Sequence, residues 1–413
     1  MSEKRTVYLD NNATTMVDPE VVKAMLPYFT EYYGNASSMH DLAVEPAKAI
    51  AEARHKIAEY VGAEYDSEII FTSCATESDS TAIYSAINCN PEKREIITSP
   101  VEHPAILRVL DHLEEDRGYK ITKLHVDSKG RIDLDEYKKA LNSNVALVTC
   151  MWANNETGNI YPVTEMAHIA HEQGIMFHSD GVQAMGKVDM DLKSTDIDML
   201  SFSGHKLHAP KGIGVFYLKR SCRFRPFLRG GHQESGRRAG TENVPYIVGL
   251  GKACELSGQH VGYMRSEIKR LRDRLEQGIL AKVPDCFVTG DPDNRTANTS
   301  NIAFQFVEGE GILLKLNEYG ICASSGSACT SGSLDPSHVM KAMGIPFTAA
   351  HGTIRFSLSR FTTEADIDYT VEKVPEIIAE LRSFSPYWRK DGSGGAESFD
   401  PNYGEGKGAQ FKK

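Results

Sequence analysis

The sequence contains no apolar run approaching the ~18 residues that a membrane span requires. It has no excess of positive charge: 46 Lys plus Arg stand against 56 Asp plus Glu, a formal net charge of -10. Neutralising a phosphate backbone needs clustered positive charge, so nucleic-acid binding is excluded as the main task. Local basic stretches at 223–229 and at Arg237 and Arg238 can still meet a phosphate or an acidic partner. No CxxC occurs among the eight cysteines. Their wide, irregular spacing suits thiols in a reducing compartment, most of them small core hydrophobes, rather than a disulfide framework or a zinc site. There is no internal repeat. The first residues, MSEKRTVYLDNN, turn polar at once and offer no signal-peptide core, so the expected location is the cytoplasm.

What is there is ordinary globular composition. The 413 residues are 41% apolar and 25% charged. At ~150 residues per domain the length corresponds to roughly two or three domains with ample core. Short β-rich apolar runs at 68–73, 95–100, 146–153, 176–180, 199–203 and 214–218 read as buried strands. Helical patterns at 82–87, 105–115 and 163–173 lie between them, which argues for a mostly parallel α/β sheet. Helices are also expected at 19–33 and 45–61. A long charged amphipathic helix at 263–282 leads to short strands at 303–306, 321–323 and 353–358, interleaved with helices at 309–317 and 365–382. That second pattern implies a smaller α+β domain.

The segment SFSGHK, 201–206, sets Lys206 beside Ser203, Gly204 and His205 at the end of a buried strand. A lysine there is costly unless it is paired or chemically used. Alone it reads equally as a surface lysine opening a loop, or as a Schiff-base lysine for pyridoxal 5'-phosphate (PLP) flanked by phosphate-binding side chains. In MFHSDGVQ a strand ends at Asp180, 26 residues before Lys206. A carboxylate at that place can pair with a protonated pyridine nitrogen and keep the ring an electron sink, and Gln183 can reach the ring hydroxyl. Alone, Asp180 reads as a helix N-cap; with SFSGHK at this spacing, the cofactor reading prevails. In SCATESD, 73–79, Thr76 is a phosphate cradle at a helix N-terminus, a capping box with Asp79, or both. His103, in VEHPA, is either a structural histidine or one that stacks on a flat ring and moves protons. Asn155, in ANNETG, can donate to a ring oxygen or a substrate carboxylate. Five strand ends contribute, and ligands of open α/β sheets gather at the carboxyl ends of strands.

These segments, in this order, resemble the fold-type-I PLP enzymes, and within them the cysteine desulfurases of the NifS/IscS class in the class-V aminotransferase family. The likeness runs from YLDNNATT at Tyr8 to SPYWR at Arg389. Its most specific piece is ASSGSACTSG, 323–332, which is similar to the catalytic-cysteine loop of the class with a long loop there. RGGHQESGRRAGTEN, 229–243, and HAPKG, 208–212, resemble the nitrogen-fixation NifS subgroup more than the housekeeping IscS subgroup. The resemblance implies an α/β fold with a mostly parallel seven-stranded sheet in a large domain, plus a smaller α+β domain. The expected division is an N-terminal segment, 1–15, packing with the small domain. The large PLP-binding domain spans 16–260 and the small domain 261–388, with the cysteine loop at 322–336. A disordered Gly-rich tail follows at 389–413.

The resemblance also implies roles. Lys206 matches the Schiff-base lysine, Asp180 and Gln183 the ring partners, His103 the stacking histidine, and Asn155 a ligand to cofactor and substrate. Ala75, Thr76, Ser203, Gly204 and His205 match the phosphate-binding positions. Thr241 matches a phosphate contact given across the interface of a homodimer. Arg355 matches the clamp on the carboxylate of L-cysteine. Cys329 matches the thiol that takes the substrate sulfur as a persulfide, leaves L-alanine, and passes sulfur to an iron–sulfur scaffold protein (NifU-like), for nitrogenase metallocluster assembly in this subgroup. A Cys329 persulfide would then also be a transient ligand of a [2Fe-2S] cargo. A Ser/Gly/Ala/Thr-rich segment buries little apolar surface, so the loop is expected to be mobile and its thiol reactive. A plain aminotransferase has no need of such a thiol, whereas a selenocysteine lyase shares the whole site and stays open as an alternative. One departure is Cys74, where many relatives carry Gly; a positive φ there would strain a cysteine.

Overall fold

The computed structural model describes residues 5–326, 336–385 and 388. Cys329 and the 389–413 tail lie outside the described residues.

Thirteen strands occur among the described residues. They are β1 (Val7–Tyr8), β2 (Ile69–Thr72), β3 (Glu95–Thr98), β4 (Lys120–Lys123), β5 (Val145–Thr149), β6 (Met176–Asp180) and β7 (Met199–Ser203). After them come β8 (Gly214–Leu218), β9 (Cys286–Val288), β10 (Thr299–Phe304), β11 (Ile321–Cys322), β12 (Ser324–Ser325) and β13 (Thr353–Ser357). A seven-stranded sheet has the order β2-β8-β7-β6-β5-β3-β4. Only β8 is reversed, antiparallel to both β2 and β7; the remaining pairings are parallel. The expected mostly parallel seven-stranded sheet is therefore present, in an α/β fold. Alternate residues serve opposite faces. Phe71, Leu200, Phe202, Val215 and Tyr217 join one buried cluster, and Ile70, Met199, Phe216 and Leu218 join another. Both faces are thus covered, which is why the strands read as continuous apolar runs. The edge strand β4 did not read that way, because its two lysines are exposed.

A second sheet, β12-β13-β10-β9, is antiparallel. Helices Lys269–Leu280, Gly309–Glu318 and Glu364–Phe384 bury Leu275, Ile312, Leu316, Val374 and Ile377 against its Ile302, Phe304, Ile354 and Phe356. The N-terminal segment joins this region: β1 pairs parallel with β11, and Asn11 N–H donates to Ser357 O at 3.1 Å.

Two helical expectations need correction. The expected helix 19–33 is split into Pro19–Met25 and Pro27–Thr30; Pro27 has no N–H to continue the ladder. The helix expected to begin at 263 begins at Val244 and runs through a π-turn, Met264–Ile268, into Lys269–Leu280. Gly251 in its first part permits close packing, since a Cβ there would come within 2.8 Å of Ala53 Cα in helix Val44–Val61.

Candidate active site

Because six strands of the large sheet share one direction, the segments after β2, β3, β5, β6 and β7 leave from one edge. There they enclose a cleft with about 980 Å³ of free space, part of it open to solvent. Cys74, Ala75 and Thr76 line it from the first turn of helix Ala75–Cys89, His103 from the start of helix Pro104–Arg117, and Asn155, Asp180, Gln183, Ser203, His205 and Lys206 from the other strand ends. Arg355 reaches in from β13, and Asn12 and Ala13 from the N-terminal segment. Of the residues expected to meet the cofactor or substrate, the structure brings together all the described ones except Gly204 and Thr241. Gly204 opens the turn before Lys206 and does not line the cleft; a Cβ there would fall 2.9 Å from Ile213 Cγ2, so it permits close packing. Thr241 is exposed and also lies off the cleft. Its segment is tied to the first turn of helix Ala75–Cys89 by Arg238, which donates to Glu77 at 2.8 and 3.1 Å.

The amine of Lys206 donates to the carbonyls of Asn12 (2.7 Å) and Ala13 (2.6 Å). Burial, reinforced by the charge of Arg355, pushes its pKa down to about 8. The same burial pushes Asp180 up to about 6, opposed by the Val182 N–H that donates to it and by Lys206. Behind it, Asp79 is held well above the usual carboxylate range by burial and then by the charge of Asp180. Its Oδ1 is buried with no hydrogen-bond partner, although the fully buried His178 ring stands 3.7 Å away. Burial and the like charge of Asp180 both favour the protonated form of Asp79.

His103 Nδ1 accepts the Ala105 N–H at 3.1 Å and so caps its own helix. Burial, then the Lys206 charge, pushes its pKa down to about 4. The ring is therefore neutral near pH 7 with its proton on Nε2, which makes it a donor toward the cleft. His205 is likewise pushed down to about 4, mainly by burial, and its Nδ1 lies 3.1 Å from Thr14 Oγ1.

At helix Ala75–Cys89 the N-cap residue is Cys74, whose side chain caps nothing. The expected capping box of Thr76 with Asp79 is not formed, because Thr76 already lies inside the helix. The helix N-terminus opens into the cleft with its positive end uncapped. Cys74 itself has φ -172, extended backbone that any residue adopts, so the strain feared for a cysteine here is absent.

Arg355 is 6% exposed. It donates to Asp10 Oδ1 at 2.8 Å and to Asn155 O at 3.0 Å, while its Nε is buried with no partner. Asn12 joins these parts. Its carbonyl accepts from Lys206 and from Gln183 Nε2 (3.0 Å), its Oδ1 from Lys187 (3.1 Å) and Asn298 (3.1 Å), and its Nδ2 donates to Asn155 O (3.1 Å) and Thr299 Oγ1 (2.9 Å). Neither Asn12 nor Lys187 stood out in the sequence. Asn12 belongs to the YLDNNATT segment, and that position was its only signal.

The family model described as "Aminotransferase class-V" matches residues 7–370. The chain belongs to the class-V aminotransferase family. Among curated members, it is 60% identical over 400 residues to the cysteine desulfurase NifS of Azotobacter vinelandii, covering 96% of this chain and 99% of that one. It is 58% identical over 404 residues to a cysteine desulfurase of Enterobacter agglomerans, covering 97% and 100%. Among solved structures, a NifS-like protein superposes with a TM-score of 0.86 at 36% identity, covering 91% of this chain and all of that one. A chain described as SspA in complex with cysteine superposes with a TM-score of 0.76 at 34% identity, covering 87% of this chain and all of that one. In this chain the thiols of Cys150 and Cys254 are core groups whose pKa burial drives upward. Cys222 is pushed up to about 12 in the same way. None of the three is poised as a nucleophile.

Proposed function

We infer that the protein is a cysteine desulfurase that uses PLP in this cleft. One observation carries the reading: a single cleft holds an amine of lowered basicity, a buried carboxylate, an uncapped helix N-terminus and a guanidinium. That donor set fits PLP and an amino-acid substrate. The helix N-terminus at Ala75 and Thr76, with Ser203 and His205, suits the phosphate. Asp180 suits the ring nitrogen. Arg355, which lines the cleft, suits a substrate carboxylate, with Asp10 and Asn155 O fixing the plane of the guanidinium.

Bound PLP supplies an aldehyde that captures amines and a ring that withdraws electrons from the substrate α-carbon. Lys206 Nζ, neutral in good part near its pKa of about 8, anchors the cofactor and then accepts the α-proton of L-cysteine. Arg355 holds the substrate carboxylate. His103 donates its Nε2 proton at the thiol end. By the resemblance, the Cys329 thiolate attacks the substrate sulfur: a new S–S bond forms, the substrate C–S bond breaks with its electron pair left on the β-carbon, a proton taken there completes L-alanine, and a persulfide remains on the enzyme.

The finer reading is delivery of that sulfur to an iron–sulfur scaffold protein for nitrogenase metallocluster assembly; what supports it is that a relative 60% identical to this chain carries the name NifS. A homodimer belongs to the same reading. Met16, Leu26, Phe29, Tyr33, Met39 and Leu42 are exposed within one short stretch of chain, and apolar side chains left in water in such numbers suit a surface covered by a partner copy.

The test is incubation of PLP-loaded protein with L-cysteine. Alanine should appear together with one extra sulfur atom on the peptide carrying Cys329. 3-Mercaptopyruvate without persulfide, with the amino group left on the cofactor, would make it an aminotransferase. Turnover of selenocysteine alone would make it a selenocysteine lyase.

A further inference from the structure

Lys187 lies one turn beyond Gln183 in the helical turns that follow Asp180. Those turns are closed by Ala184 N–H to Gly181 O and by Lys187 N–H to Ala184 O, both 3.0 Å. The amine of Lys187 donates to Gln183 Oε1 at 2.6 Å and to Asn12 Oδ1 at 3.1 Å. Among the described residues both partners are amide oxygens, and no carboxylate pairs with it. Burial pushes its pKa down to about 7, helped by the charges of Lys206 and Arg355. A cation placed so without a counter-ion costs stability, and a neutral Met of similar length would not.

The gain is orientation. A protonated lysine carries donors only, so the Gln183 carboxamide turns its oxygen to Lys187, to which the amine donates at 2.6 Å. The nitrogen end then faces Asn12 O, to which it donates at 3.0 Å. An amide nitrogen has two N–H groups. The second is left for whatever fills the cleft that Gln183 lines.

We propose that Lys187 is a positioning residue: it locks the Gln183 carboxamide with an N–H aimed at the oxygen substituent of the PLP ring, and steadies Asn12, on whose carbonyl Lys206 rests. This rests on the PLP reading above. Without the lysine, the carboxamide is free to turn its oxygen toward an anionic ring oxygen, which replaces an attraction by a repulsion.

The experiment titrates PLP into apo protein, following cofactor absorption and the thermal midpoint of the apo form. It compares wild type, Lys187→Met, Gln183→Ala and the double variant. Lys187→Met should weaken PLP binding roughly 10- to 100-fold, the weight of one hydrogen bond to a charged acceptor. It should also shift the absorption toward the form with a protonated ring oxygen, while the apo midpoint holds or rises. In the Gln183→Ala background the same change should have almost no effect on affinity or spectrum, because Lys187 acts through Gln183. Wild-type affinity and spectrum in Lys187→Met would overturn the proposal, and so would an equal loss in both backgrounds. If Lys187→Met does not fold, Lys187→Gln, with an N–H donor on a shorter stem, carries the same two-background comparison. Wild-type protein that takes up no PLP overturns the cofactor reading itself, and this proposal with it.

Discussion

Ser337 donates its hydroxyl to Glu156 Oε2 at 2.6 Å, and a Cβ built on Gly326 would collide with that same oxygen. The residues that flank 327–335 on both sides therefore meet at one carboxylate. Glu156 is buried, adjoins Asn155 in sequence, and is held above the usual carboxylate range by burial, against the hydrogen bond from Ser337. Ser337→Ala removes the donor from a buried acceptor and should cost about 1–3 kcal/mol of stability. Gly326→Ala forces an overpacked contact of about 1–3 kcal/mol. In both variants persulfide formation on Cys329 should slow while PLP content stays at one per chain. Rapid-quench mass analysis of the Cys329 peptide checks this, and unchanged rates in both would separate Glu156 from the sulfur step.

The low basicity of Lys206 gives a pH dependence with a definite sign. Its amine loses its proton at about 8 in the folded apo protein, against 10.5 ordinarily, because burial and Arg355 disfavour the charged form. Between those two values the unfolded chain binds the extra proton, so this group's contribution to apo stability rises with pH across that window. Below about 8 both states are charged and the penalty is fully present. PLP capture needs the neutral amine, so its rate should climb with pH and level off above a midpoint near 8. Stopped-flow absorbance would show it. A rate that is flat from about pH 7 to about pH 9 contradicts the shift.

Arg355→Lys keeps the charge but loses the planar fork. It should lower kcat/KM for L-cysteine roughly 10- to 100-fold, the worth of one charged hydrogen bond. PLP affinity should change little, because the phosphate-binding groups are elsewhere in the cleft. Equal losses in both quantities would make Arg355 a scaffold residue that holds Asp10 and Asn155.

The ends of strands were the legible part of this site. Asp180, Lys206, His103 and Asn155 each follow a buried apolar run, and parallel strands bring such ends to one edge whatever the loops do. The order β2-β8-β7 was not legible, since reversal of β8 depends on pairing between distant segments. Helix Val244–Tyr263 was hidden because a glycine such as Gly251 lowers helix propensity, and its reason, close packing on Ala53 of helix Val44–Val61, is a distant contact. Asn12 and Lys187 were hidden for a similar reason. Their bonds reach residues 143 or more positions away or depend on a side chain turned inward, and nothing in a local pattern of polar residues marks that.

The exposure of Thr241 sets a prediction about assembly. In one subunit it lies off the cleft, so a chain acting alone should not notice Thr241→Glu. If a partner copy brings its Thr241 to the phosphate, the new carboxylate opposes a dianion at a helix N-terminus and PLP binding should fall sharply. Mixing then decides which subunit is served. Lys206→Ala lacks the anchoring amine, and Thr241→Glu spoils only a neighbour's site. In a mixed dimer one site carries both lesions and the other carries neither, so one PLP per dimer and about half of the native activity should return on subunit exchange. A silent Thr241→Glu, or exchange demonstrated by mass with no recovery, would leave each subunit with a complete site of its own.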